Sequence, residues 1–327
     1  MTSPNGLHGL HGTAWLTARQ HRRVLWAALT AVLLAAAAMT ALRIWDARHP
    51  ATSDDNTAYQ TLTWAMENAG PALLLLPLLA GAFVAGPLIA REFETGTHRL
   101  ALTQSVTPAA WLRAKLLTVT AALLAGTLPL LAVWHLGWTR IHGTALGQWG
   151  ERGPYEASGI VLIAYDLAAV AVGALVGQLI RRTLLAMAAT GTITGLILLT
   201  LGALRWSFLP TTRATGPASP IGSYPELPHD ALTVDSGLLT ASGARFDGSA
   251  CWSPAQRAAE SGGTWSDGAW NTAYDSCLAD HQVTTRYTDY HPVSHFWPTQ
   301  LIETGIVLTI AALTLYAAFR VLRSRLP

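Results

Sequence analysis

The apolar residues of this chain are gathered into uninterrupted blocks about twenty residues long, the length a helix needs to cross a hydrocarbon core roughly 30 Å thick. Nothing else in the sequence limits the fold so strongly. The blocks run from about Val24 to Ile44, Ala69 to Ala90, Ala114 to Gly137, Ile160 to Ile180, Thr183 to Leu204 and Thr299 to Arg320. A transmembrane barrel is excluded, because its strands alternate lipid-facing and lumen-facing residues, whereas Leu29 to Ala38 and Leu73 to Leu79 are apolar on every face. The expected fold is an all-α membrane protein with six transmembrane helices. Only 12% of residues are charged, well under the quarter or so usual in a soluble domain. The net charge of +2 is too balanced for a nucleic-acid partner.

Where the few charges fall sets the direction of the spans, since Lys and Arg resist translocation and Asp and Glu count for little. Arg19, Arg22 and Arg23 precede the first span; Arg91, Arg99, Arg113 and Lys115 join the second to the third; Arg181 and Arg182 join the fourth to the fifth; Arg320, Arg323 and Arg325 follow the sixth. Both termini are therefore expected in the cytoplasm, with the lipid bilayer of the cytoplasmic (inner) membrane around the spans. Trp45, Trp64, Trp138, Trp149, Trp206 and Trp297 fall near the opposite ends, where amphipathic rings sit among headgroups. The first block is too long for the apolar region of a cleavable signal, about 7 to 15 residues, and it reads as a span. Residues 1–23 are expected to form a cytoplasmic amphipathic segment, with Trp15, Leu16, Arg19, Arg22 and Arg23 along the inner headgroups.

Four regions follow: residues 1–23; residues 24–204 with helices one to five and an inner loop over 91–113; residues 205–298; and residues 299–327 with the sixth helix and a cytoplasmic tail. The third is polar and rich in Gly, Ser and Pro, long enough for an extracytoplasmic domain between helices five and six. It holds Cys251 and Cys277, which would face an oxidising compartment. A bridge there would stabilise a small domain by about 3.5 kcal/mol on the loop-entropy estimate. Free thiols or a two-cysteine metal site are the alternative, without a C-x-x-C spacing to favour them.

Chemistry is conspicuous by the motifs that are missing. The only lysine, Lys115, is followed by Leu116, so no G-x-x-x-x-G-K-[ST] loop exists to cradle ATP. No HExxH helix or G-x-S-x-G elbow is present. The chain is expected to be no enzyme and to hold no cofactor or metal, and any ATP-driven work falls to another polypeptide.

The inner loop is the most informative stretch. It reads Gly86-Pro87-Leu88-Ile89-Ala90-Arg91-Glu92-Phe93-Glu94-Thr95-Gly96-Thr97-His98-Arg99-Leu100, then Thr107-Pro108 and Trp111-Leu112-Arg113-Ala114-Lys115-Leu116. The second helix is expected to run past the membrane surface to about Glu94 and stop at Gly96, where a left-handed cap carries no penalty. A short amphipathic helix is expected from Pro108, capped by Thr107. Mixed charge beside a Phe on a projecting rod suits a protein socket better than a lipid surface, which selects basic residues alone.

The string Arg-Glu-Phe-Glu-x-Gly-Thr-x-Arg-Leu, with Trp-Leu-x-x-Lys-Leu about a dozen residues on, resembles the loop between spans two and three in permease subunits of type-2 ATP-binding cassette exporters. An actinobacterial branch is the nearest likeness, through a Tyr-Gln-Pro-Ala-x-Arg-Phe-Trp-x-x-Gln-x-x-Glu pattern leading into the last span, whose last two named positions are Gln300 and Glu303 here. Here that pattern reads Tyr290-His291-Pro292-Val293-Ser294-His295-Phe296-Trp297, with His291 and His295 in place of Gln and Arg. The resemblance implies a dimer of permease chains, homomeric or with a second permease, exporting a hydrophobic or amphiphilic compound. It also implies a separate nucleotide-binding ATPase, holding ATP and Mg, docked on the inner loop. Arg91, Glu92, Phe93, Glu94, Thr95, Gly96, Thr97 and Arg99 are then the coupling residues, with Arg91, Glu92 and Glu94 as ion-pair partners of the ATPase.

Three polar residues lie within spans: His135, Asp166 and Glu303. A charge at mid-bilayer costs about 2.5–3.5 kcal/mol on insertion scales, so such groups face protein or water. Asp166 is expected to make an outer-leaflet hydrogen bond that fixes helix packing, and the functional alternatives are contact with substrate or an interhelical bond to His135. The competing reading of the whole chain is a membrane-anchored sensor or metal-binding protein that uses His281, His291 and His295 of the outer domain. Pro292 works against it, because the residue before a proline avoids helix.

Overall fold

The computed structural model describes residues 22–49, 57–97, 107–144 and 147–325. The expected amphipathic segment up to residue 21 and the loop residue Arg99 lie outside the described residues. The chain divides into two units, one formed by residues 1–208 with 297–327 and the other by Leu209–Phe296.

The first unit is helical. Helix α1 spans Arg22–Arg48; α2 spans Thr57–Ala80 and continues through a π-helical segment, Gly81–Ala85, into α3, Gly86–Thr95. Then come α4, Pro108–Ile141, the short α5, Pro154–Ser158, α6, Val161–Ile180, and α7, Thr183–Leu204. Among the described residues, six helical stretches are long and apolar enough to cross a membrane. They overlap all six expected spans, and the chain is a multi-pass membrane protein. The fourth is the central post. Its α6 is buried over most of its length, because Ala and Gly at 168–177 let neighbouring backbones approach closely. Gly173 lies so near the π segment that a Cβ there would sit 2.5 Å from the Ala85 Cβ.

Three local expectations can be compared with the backbone. Helix α3 ends at Thr95, and Gly96 takes φ 73°, the left-handed cap. Thr107 caps α4, its hydroxyl accepting from the Ala110 N–H at 3.2 Å. The helix that starts there, however, is not short: it runs on without a break to Ile141 as the third span, because nothing between Trp111 and Leu128 interrupts helix. Pro71 and Pro77 are carried inside α2, and the irregularity falls further on, where the Gly86 N–H reaches back five residues to the Gly81 carbonyl just before Pro87. Proline's missing N–H is a recognised cause of such departures.

The second unit departs from the all-α expectation. It contains β1, Thr212–Pro217, β2, Leu232–Thr240, β3, Arg245–Phe246, two helices, α8, Trp252–Glu260, and α9, Asp267–Asp280, and then β4, Val283–His291. The strands form one antiparallel sheet in the order β1-β4-β2-β3. Its strands were hidden in the sequence because Thr, Arg and Asp replace a clear apolar alternation. Cys251 and Cys277 are bonded at 2.01 Å, within a core of Ala218, Leu238, Ala255, Tyr274, Leu278 and Val283. The last helix, α10, spans Phe296–Arg325.

Candidate functional site: two charged clusters in the helical unit

At one end of the helical unit, the projecting α3 is held on both sides by its own chain. Glu92 pairs with Lys115 on α4. The Phe93 ring meets Trp111 edge-on at 6.2 Å, and the Arg181 guanidinium lies 5.4 Å from its centroid on the other side. Arg181 fills a left-handed position, φ 55°, in the two-residue turn between α6 and α7, which is what turns its side chain toward Phe93. Glu94 accepts the Thr183 N–H at 2.9 Å, so its carboxylate satisfies a free amide at the N-terminus of α7. Beneath them Ile89, Trp111, Leu112 and Leu322 form a buried cluster that draws in the far end of α10. The knob is therefore tied to three neighbouring helices.

This changes the roles expected for its residues. Glu92 and Glu94, assigned from sequence to ion pairs with a partner, are used within the chain. Phe93 is half-buried between Trp111 and Arg181. Arg91, Glu94, Thr95 and Thr97 are exposed, and Gly96 makes the turn. The Thr95 hydroxyl bonds back to the Arg91 carbonyl at 2.8 Å and lies 3.0 Å from that of Thr97.

At the other end, where α7 finishes and α10 begins, lies a cluster that the sequence reading caught only through Gln300 and Glu303. Arg205 is 1% exposed and Glu303 fully buried. The guanidinium donates to both Glu303 oxygens, at 2.7 and 2.9 Å, and its Nη2 donates to Glu156 at 2.6 Å. Glu303 also accepts the Tyr165 hydroxyl at 2.6 Å, and the other Glu156 oxygen accepts the Gly153 N–H at 2.7 Å. Gln300 completes the set, donating to the Tyr155 carbonyl at 2.7 Å and accepting the Val161 N–H at 3.1 Å. The Gln300 side chain fills the space over Gly159, where an added Cβ would stand 2.2 Å from it. One cation held by two carboxylates, each with further donors, is the arrangement that makes buried charge tolerable. Trp149 and Trp206, placed from sequence among headgroups, instead pack here edge-on at 5.6 Å, and Tyr155 lies 3.7 Å under the Arg205 guanidinium. Trp45, Trp64 and Trp297 remain exposed.

The other intramembrane polar residues are separate from both clusters. Asp166 is buried and accepts the Thr127 hydroxyl at 2.7 Å. His135 lies two turns further along α4 and is exposed, so the alternative pairing of the two is not formed. The histidines of the second unit do not converge either: His291 and His295 meet at 3.0 Å between Nδ1 atoms, whereas His281 precedes β4 and bonds the Cys277 carbonyl at 2.9 Å. The ligand atoms of Cys251, Cys277 and His281 do lie within 4.8 Å of one another, but the two sulfurs are bonded to each other.

Six apolar helices, buried ion pairs fixing one end and a braced knob at the other define a polytopic membrane protein that carries no nucleotide-binding loop. Residues 23–205, more than half of the chain, match the family described as ABC-2 membrane transporter related, and the chain belongs to that family. No curated protein and no solved structure matches it. The match ends at Arg205, so the second unit and α10 lie beyond it. Membership supports a transporter's membrane subunit.

Proposed function

We propose that the chain is the permease subunit of an ATP-binding cassette exporter for a hydrophobic or amphiphilic compound, driven by a separate ATPase that holds ATP and Mg. In this reading two permease chains assemble in the cytoplasmic membrane with both termini inside. Residues 209–296 stand outside, where the Cys251–Cys277 bridge is kept oxidised. The chain itself performs no catalysis. The knob of α3 and Gly96 is the docking point, and the observation that carries this is its bracing. A lone protruding helix end would bend when pushed, but one tied to α4 by Glu92 and Lys115, and to α7 by Glu94, passes the push to both helices. The ATPase meets the exposed Arg91, Thr95 and Thr97, while Glu92, Phe93 and Glu94 transmit.

Two measurements test it. Thr97→Cys should react with a membrane-impermeant maleimide only after the cells are opened; labelling from outside would reverse the topology and remove the reading. Arg91→Glu should leave the purified chain folded yet lower by about tenfold the amount of P-loop ATPase that copurifies with it, as expected for loss of a charge-assisted contact. Unchanged copurification and ATP turnover would remove the docking assignment. A metal assay on the purified protein separates the competing sensor or metal-binding reading, which a stoichiometric ion would favour.

A further inference from the structure

Thr40, Arg43, Ile44, Asp46 and Ala47 on the last turns of α1, with Arg140 on the last turn of α4, line an open cavity of about 460 Å³. That lies within the range of about 300–1,000 Å³ usual for small-molecule sites. Two guanidinium groups and one carboxylate face it, leaving one positive charge in excess. Asp46 is 4% exposed and already committed, accepting from Arg140 Nε at 2.8 Å. The same guanidinium lies 5.3 Å from the Tyr59 ring centroid, so Arg140 is held from two sides while its Nη groups make no hydrogen bond among the described residues. Arg43 is half-buried and has no ion pair among the described residues. A fixed guanidinium edge beside a second one that has no ion pair among the described residues is suited to the paired oxygens of a phosphate.

Depth argues for a phosphate carried by a lipid. The cavity sits at the ends of two apolar helices, with Trp45 next to Asp46 and Trp138 two residues before Arg140, the position of headgroup-level aromatics. Below it α1 exposes Leu29, Leu33, Leu34 and Ile44, and α4 exposes Leu128 and Leu136. Acyl chains would lie along these side chains, a contact that a soluble anion lacks. We infer that Arg43 and Arg140 form a binding site for the phosphodiester headgroup of a membrane phospholipid. The inference uses only the cavity and the two helices, and it stands whether or not the chain transports.

The test uses the full chain in detergent micelles, with lipid retention read by native mass spectrometry. Phosphatidylglycerol, diacylglycerol of the same chains, and glycerol 3-phosphate serve as probes. The wild type should retain phosphatidylglycerol in preference to diacylglycerol, and Arg43→Gln should reduce that retention about tenfold, the effect of one charge-assisted hydrogen bond. Arg43 has no described partner to lose, and elution as a single peak on size exclusion confirms that the variant is folded. Arg140→Lys, which keeps the charge beside Asp46 but removes the planar fork, should weaken retention less. Equal retention by wild type and Arg43→Gln, or equal retention of diacylglycerol, would overturn the site. Displacement of phosphatidylglycerol by equimolar glycerol 3-phosphate would overturn its assignment to a lipid.

Discussion

The two charged clusters lie at opposite ends of α7, about 33 Å apart by helical rise, and they differ in how completely they exclude water. Around Arg205 the side chains are at most 3% exposed, whereas Lys115 and Glu92 keep 20% and 26% of their surface. The first is closed: each charge has its partner inside the fold, and exchange would mean opening the bundle. The second is open enough to trade an internal partner for an external one at little cost. Under the proposed docking at α3, this asymmetry leaves one end rigid in geometry and the other negotiable.

Removing the cation from the closed cluster gives the largest expected effect. Arg205→Met leaves Glu156 and Glu303 facing each other without compensation, and breaking such a buried pair costs about 3–5 kcal/mol. Thermal unfolding in detergent should shift sharply downward, and much of the protein should aggregate. Adding Glu156→Gln and Glu303→Gln to the same variant should recover part of the loss, since the uncompensated charge is then gone. A melting temperature unchanged by Arg205→Met would erase the contrast between the ends.

A middle-sized effect tests whether the ends communicate through the packed middle. Gly173→Ala places a Cβ 2.5 Å from the Ala85 Cβ and 2.7 Å from backbone of the π segment. Overpacking of this kind costs about 1–3 kcal/mol, and here it would push on the one irregular stretch of the second span. Lower thermal stability together with reduced ATP-dependent flux is expected. Lower stability with normal flux would mean that the π segment takes no part in transmission.

Glu92→Gln is expected to matter little to the fold. A half-exposed pair contributes about 0–1 kcal/mol, so the melting temperature should barely move while ATP turnover coupled to transport falls. A stability loss as large as that of Arg205→Met would show that the Glu92 end is as closed as the Arg205 end.

How much of this was legible in the sequence follows the same division. Long apolar blocks fix six helices because a bilayer demands them, and Gly96 and Thr107 mark their turn and cap because left-handed backbone and free amides have few residue solutions. The partners of Glu92 and Glu94 were not legible: Lys115 and Thr183 are 23 and 89 residues away. Arg205 reads from sequence as the first polar residue after a span, and Glu156 as part of a polar loop. Only the hydrogen bonds that Arg205 and Tyr165 make to Glu303, near the start of α10, show that they belong together. The sheet of the second unit was missed for a different reason, because its strands pair polar residues such as Arg213 and Asp289 across the ladder.

That pair supplies the smallest expected effect and a third grade of exposure. Arg213 donates from Nε and Nη2 to the two Asp289 oxygens, each at 2.7 Å, with Arg213 45% and Asp289 12% exposed. The hydrogen bonds from Arg213 hold the Asp289 carboxyl below its ordinary range. A carboxyl whose folded-state value is depressed adds stability that is fully present above the unfolded value, about 3.9, and is lost as pH falls through the lower folded value. The denaturant midpoint for loss of the β1–β4 pairing should therefore be higher in wild type than in Asp289→Asn at pH 6. The two should converge between about pH 4 and pH 2. High salt should narrow the gap at pH 6, because a pair this open is screened. A gap that persists undiminished at pH 2 would assign the effect to the shape of the side chain and not to its charge, and would remove this pair from the graded series that begins with Arg205.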